Sequence, residues 1–319
     1  CLYAERHFGS LAVAGPVAVQ TARVAPVAKG HRLERSARFV FLVPTVAYLL
    51  LLGIFPLLFS LYLVFGSWQA GTKDISWVGL DNIRRLIEQD RFWNSLTLTI
   101  TFVALVTAVE LLLGTLVALS LQSAVRSRNW LRLAYTMPML LPPIAVSYTW
   151  RMLFDFNRGP INYFLGLVGI EPVRWLAGQK SAVIAVMIAD IWQWTPFIAL
   201  GVLAALESLP AELYEAAVVD GASAGSLLRD ITLPLLQPYI VALVALRAID
   251  AFKIFDLVYV LTGGGPGTAT EFLGYYGYVV GFRPFNMGFT ASVAWAMVIL
   301  MSIIFFIFLR VFRRIEQEA

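Results

Sequence analysis

Apolar residues dominate six stretches of the chain: Phe39 to Phe65, Leu96 to Leu121, Leu133 to Phe154, Ser181 to Leu206, Leu235 to Leu261, and Phe289 to Phe312. Each reaches the about 20 residues that a helix needs to cross the hydrocarbon core of a bilayer. The predicted fold class is therefore all-α: a polytopic membrane protein with six transmembrane helices. The third stretch carries Pro138, Pro142 and Pro143, which must kink or break it. Such a break is tolerated where neighbouring helices or a water-filled cavity satisfy the freed carbonyls, so this stretch is expected to form a cavity wall.

Between the fourth and fifth stretches the pattern turns polar without losing helix formers, in Leu213 to Pro238, LYEAAVVDGASAGSLLRDITLPLLQP. Ala211 to Val219 favours a helix, Gly221 tolerates a positive φ, and Ser223 can cap a second short helix. Pro234 and Pro238 predict that this second helix ends near Leu233, with a new one beyond. The expectation is a helix–corner–helix knuckle protruding from the membrane.

Composition agrees with the pattern: 59% of the 319 residues are hydrophobic and 14% charged, at a mean hydropathy of +0.76, well above the apolar share of soluble domains. The net charge of +4 lies mostly in arginines at the ends of apolar runs, a topology signal rather than a nucleic-acid footprint. Lys29, Arg32, Arg35 and Arg38 precede the first stretch, Arg126, Arg128 and Arg132 separate the second from the third, and Arg310, Arg313 and Arg314 follow the last. These segments are expected on the cytoplasmic side, which puts both termini and the knuckle there. Residues 1–38 then read as a cytoplasmic tail, disordered over 1–30, residues 39–314 as the membrane domain with the knuckle at 210–234, and residues 315–319 as a short cytoplasmic tail. Trp68, Trp77, Trp93, Trp175 and Tyr276 to Tyr278 suit anchoring at headgroup level, and Gly263 to Gly267 must form a turn.

Candidate chemistry is sparse. Cys1 is the single cysteine and His7 and His31 the only histidines, so no metal site is expected. The chain contains no G-x-x-x-x-G-K-[ST], so it should not bind ATP by a P-loop. Charges inside the apolar stretches remain. Arg247, Asp250, Lys253 and Asp256 recur every three residues, as a self-neutralising ladder of ion pairs would. Asp190, Trp192, Gln193 and Trp194 sit before Pro196 in the fourth stretch, with Asp190 and Gln193 on one helix face, and Glu110 lies at similar depth in the second. Lipid contact would be costly for any of them, so they should face the bundle interior, a partner or a water-filled path. Asp190, Trp192, Gln193, Trp194, Arg247, Asp250 and Lys253 are the candidates for a substrate path.

Glu215-Ala216-Ala217, Asp220-Gly221-Ala222 and Leu233-Pro234 together resemble, in residue and spacing, the EAA loop of permease subunits of binding-protein-dependent ABC importers. Leu246 to Asp256, running into Tyr259-Val260-Leu261-Thr262-Gly263-Gly264-Gly265-Pro266, is similar to carbohydrate-uptake permeases of the maltose, trehalose and glycerol-phosphate type. The resemblance covers roughly Arg38 to Arg314 and is strongest in the second half. It implies a type I ABC importer transmembrane domain in the bacterial cytoplasmic membrane, with Glu215, Ala216, Ala217, Asp220, Gly221, Ala222, Leu233 and Pro234 as the ATPase-coupling residues. The implied partners are a second permease, an ATPase dimer that holds ATP and Mg, and an extracytoplasmic solute-binding protein, with sugar as cargo. The alternative is a secondary transporter coupled to an ion gradient through Asp190 and Asp250. That alternative predicts Gly/Pro-interrupted segments repeated in the two halves, which the sequence does not contain. A membrane-embedded enzyme would need a nucleophile, metal cluster or acid–base pair that these residues do not offer.

Overall fold

The structure is a computed structural model that describes residues 30–69, 71–123 and 128–318. The N-terminal tail with Cys1, His7 and Lys29, and also Arg126, lie outside the described residues. Helices account for most of the described residues, as the sequence predicts; the sole sheet among them is a two-stranded hairpin of β1 (Gly66–Ser67) and β2 (Ser76–Trp77).

The chain divides into two compact units at Pro56. The described part of the first comprises α1 (Gly30–Leu49), a π-helical turn (Leu50–Ile54), and Phe55 and Pro56, which open α2 (Phe55–Val64). The second unit holds the remainder of α2, then α3 (Asp81–Glu88), α4 (Asp90–Ser123), α5 (Arg128–Leu140), α6 (Pro143–Leu153), α7 (Pro160–Leu167) and α8 (Gln179–Ser208). It continues with α9 (Ala211–Val219), α10 (Ala224–Ser226), a second π-helical turn (Leu227–Thr232), α11 (Leu233–Phe252), α12 (Asp256–Leu261), α13 (Leu273–Phe282) and α14 (Met287–Glu318).

Five helical segments among the described residues, rather than six, are long and apolar enough to cross a membrane: Phe39–Val64, Asp90–Gln122, Gln179–Ser208, Ala224–Phe252 and Met287–Ile315. The third expected span, Leu133 to Phe154, is instead two helices joined at Leu141 and Pro142. Pro138 is accommodated inside α5, whereas the tandem Pro142-Pro143 removes two successive donors and holds Pro142 extended at ψ 134°. The fifth stretch is also interrupted, because α11 stops at Phe252 and α12 starts only at Asp256. No Gly or Pro lies between Arg247 and Leu261 to announce this break. Tertiary contacts hold it instead: Arg151 donates to the Val260 carbonyl at 2.8 Å, and a Cβ on Gly274 of α13 would lie 3.0 Å from the Ile254 carbonyl oxygen. Of the expected tail, residues 315–318 are helical and continue α14, which runs to Glu318.

The helix expected to end near Leu233 does not end there. α10, the π turn and α11 run on as one rod, with Pro234 in the first turn of α11 and Pro238 inside it. Each π turn stops two residues before a proline, Pro56 or Pro234. Adding a residue to the turn separates the proline ring from the carbonyl it would strike in an α-helix, so the rod continues where a regular helix would break.

α4 and α8 form the central pair of the second unit. Their close approach depends on Gly114, where a Cβ would come within 2.8 Å of the Ile198 side chain. Around this pair, one core gathers Phe102, Val106, Ala185, Ala189, Phe252, Val258, Phe272 and Tyr276, and a second gathers Ala118, Ile198, Val202, Leu206 and Leu236. Tyr276 thus departs from its expected role as a headgroup anchor: it is buried and donates to Gln89 Oε1 at 2.6 Å. Burial pushes its hydroxyl up to about 12, so it stays protonated as that donor. Trp77 and Trp93, by contrast, are exposed.

Candidate functional site

Two features of the second unit carry chemistry, and each is built on the same two helices. The first is a cavity of about 230 Å³ lined by Pro143 from α6, by Asp190, Gln193 and Trp194 from α8, and by Arg247, Asp250, Lys253 and Asp256 from α11 and the segment beyond it. The prolines explain one wall. With Pro142-Pro143 breaking the third stretch, the Leu141 carbonyl has no helical donor, and Gln193 Nε2 donates to it at 3.2 Å.

Arg247 is the hub. It is 1% exposed, and its Nε and Nη2 donate to the two oxygens of Glu110 at 2.7 and 2.9 Å. Nη2 also bonds Asp190, and the guanidinium stands 5.5 Å from the Trp194 ring centroid. Asp250 is only a peripheral member, 3.6 Å from Nη1 and 42% exposed, and it reaches Lys253 at 3.3 Å. The expected ladder forms only in part: Asp250 pairs with both Arg247 and Lys253 at i,i+3, but it is not the main partner of Arg247. Arg247 is neutralised mainly from α4 and α8, not by its i,i+3 neighbour, since a bidentate carboxylate satisfies the guanidinium fork better than a half-solvated one. Asp256 has left the ladder altogether and opens α12.

Of the substrate-path candidates, Asp190, Gln193, Trp194, Arg247, Asp250 and Lys253 come together, and Trp192 does not. Its ring lies against Trp150, edge to face at 5.8 Å, away from the cavity. The sequence places Glu110 inside the bundle without making it a path candidate and does not single out Asp256 as lining, whereas Pro143 lies in the stretch expected to form a cavity wall and does line it. The signal for Glu110 is that it is the sole charged residue between Leu96 and Leu121, a lone carboxylate that must find a cation.

The second feature is the knuckle. No residue of α9 is buried, and Val219 at its end is 86% exposed. The corner is a Schellman turn: Ala222 N–H donates to the Ala217 carbonyl at 2.9 Å and Gly221 N–H to the Val218 carbonyl at 3.0 Å. Gly221 sits at φ +81°, where a β-branched side chain would be strained. Ser223 caps α10 by accepting from Ser226 N–H, and Tyr214 pairs with Thr232 at 3.1 Å across the knuckle. Glu215, Ala216, Asp220 and Gly221 are exposed around the corner and Ala217 and Ala222 half-buried, while Leu233 and Pro234 lie exposed where the rod enters α11.

Residues 110–318 match the family described as binding-protein-dependent transport system inner membrane component. The chain belongs to this family. It is accordingly a membrane-spanning permease subunit of a binding-protein-dependent transport system. It is 35% identical over 255 residues to the trehalose/maltose transport system permease protein MalF of Thermococcus litoralis, covering 80% of this chain and 85% of that one. It is 30% identical to the trehalose transport system permease protein SugA of Mycobacterium tuberculosis, with 89% and 91% covered. The sulfoquinovosyl glycerol transport system permease protein SmoG of Agrobacterium fabrum is likewise 30% identical, with 88% and 91% covered. Among solved structures, a bacterial ABC transporter involved in the import of the acidic polysaccharide alginate shares the fold, with TM-score 0.79 at 21% identity over 89% of this chain and 98% of the other.

Proposed function

We propose that this chain imports a sugar or sugar derivative, enclosing the path with a second permease and driven by a separate ATPase pair that docks on the knuckle. The observation that carries the reading is the knuckle itself. It is a rigid, capped corner with exposed carboxylates at Glu215 and Asp220 and exposed apolar residues at Val218 and Val219, set on a permease that has no P-loop of its own. In this reading ATP and Mg reside on the partner, and a soluble binding protein delivers cargo to the opposite face. The basic segments support a cytoplasmic position for both termini and the knuckle. Sugar as the cargo rests on the trehalose, maltose and sulfoquinovosyl glycerol systems to which the relatives belong.

The connectivity supports a mechanism. α8 leads into α9 through Leu209 and Pro210, and α10 leads without interruption into α11, so the two helices that leave the knuckle are the two that supply Asp190 and Arg247. From the end of the π turn to Arg247 is a continuous helical path of about 22 Å at the helical rise per residue. ATP-driven displacement of the knuckle would thus rock α8 against α11 at the cavity, which is the packed-element switching that alternating access requires. Within this path Asp190, Gln193, Trp194, Arg247, Asp250 and Lys253 offer hydrogen bonds beside an aromatic face, a combination suited to a polyhydroxylated ring.

The test is copurification of the membrane complex with its ATPase subunits. Gly221→Val should abolish retention of the ATPase while the permease still inserts, because it misdirects the whole corner. Glu215→Ala should weaken retention only modestly, since it deletes one charge-assisted contact. A Gly221→Val permease that retains the ATPase and hydrolyses ATP like the parent would overturn the assignment of the knuckle as the coupling element.

A further inference from the structure

The cavity carries a charge imbalance that its ion pairs do not cancel. Asp190, Asp250 and Asp256 line it against Arg247 and Lys253, a formal excess of one carboxylate, and Glu110, outside the lining, pairs with Arg247. Both cations are engaged: Arg247 is gripped by Glu110 and Asp190, and Lys253 is held 3.3 Å from Asp250. Asp256 lines the same cavity with no ion-pair partner among the described residues.

Gln193 is 1% exposed and lines the cavity, and while its Nε2 is bonded to Leu141, its Oε1 is buried with no hydrogen-bond partner in the protein. Nη1 of Arg247 likewise makes no hydrogen bond. Both atoms lie inside the wall rather than on its surface, with Nη1 facing Asp250 at 3.6 Å, so Arg247 presents no free donor to a solute in the cavity.

We infer that this cavity selects its cargo by charge: it takes neutral hydroxylated or amine-bearing solutes and rejects carboxylated or phosphorylated ones. The inference rests on the reading of the cavity as part of the cargo path. An ammonium group finds an unpaired carboxylate at Asp256. An anion finds no free cation. It must compete with Glu110 and Asp190 for Arg247, or with Asp250 for Lys253, and it does so facing Asp256.

The experiment measures the cavity's potential directly, in the full chain carrying Cys1→Ser, in permeabilised membranes open on both faces. Phe255→Cys places a thiol at a half-buried position of the cavity lining, and Val168→Cys, on an exposed loop, serves as the control. The probes are a cationic trimethylammonium-ethyl, an anionic sulfonatoethyl and a neutral methyl methanethiosulfonate. The cation-to-anion rate ratio in the cavity should exceed that of the control by about tenfold or more, as clefts of one sign focus ions of the other. Asp256→Asn should bring it back toward the control value. A cavity ratio at or below the control overturns the charge selection alone. Should Phe255→Cys fail to reach the membrane, Trp194→Cys, also half-buried in the lining, makes the same measurement. Failure of the neutral probe to label either position overturns the cavity as a cargo path, and the inference with it.

Discussion

Arg247 concentrates the residue-scale physics. A guanidinium in the bundle interior is tolerable only because Glu110 and Asp190 meet it from two other helices, so its removal strands two buried carboxylates at once. Arg247→Met is expected to cost about 3–5 kcal/mol of stability, the scale for breaking a buried pair from one side. Asp250→Asn should cost under about 1 kcal/mol, because Asp250 is half-solvated and peripheral to the hub. Thermal denaturation of the two variants in detergent checks the order, and equal losses would contradict the hub. The individual charges are plain in the sequence, but their partners are not. Glu110 and Arg247 lie 137 positions apart, whereas the i,i+3 spacing of Arg247, Asp250, Lys253 and Asp256 offers a nearer and misleading match.

At the scale of elements, local chemistry made the knuckle legible. Ala211–Val219, the positive φ at Gly221 and the Ser223 cap all follow from helix propensity, glycine's freedom and a hydroxyl that can reach a free N–H. The fates of the prolines were legible only in part. Pro142-Pro143 broke its helix as expected, but Pro138, Pro234 and Pro238 were absorbed, the last two behind a π turn that no residue type announces. The break after Phe252 was not legible at all, since it is imposed by Arg151 and α13 from outside the segment. Gly114 belongs to this scale too. Gly114→Val would drive a side chain into Ile198 and wedge α4 from α8, with an expected loss of roughly 1–3 kcal/mol, the usual range for overpacking. The check is the melting temperature of the purified permease, and an unchanged value would contradict the close helix contact.

The whole molecule joins these pieces in one line of force. The knuckle projects from the ends of α8 and α11, and the same two helices face each other at the cavity through Asp190 and Arg247. An ion-gradient transporter would leave the knuckle without a role, whereas an ATP-driven importer needs such a lever on the cytoplasmic side. The decisive measurement is uptake into proteoliposomes holding the assembled complex, with the binding protein and its loaded sugar on one side and ATP on the knuckle side. Uptake should require ATP and the binding protein, should be indifferent to an imposed proton or sodium gradient, and should be lost in Gly221→Val. Uptake driven by an ion gradient without ATP would contradict the account.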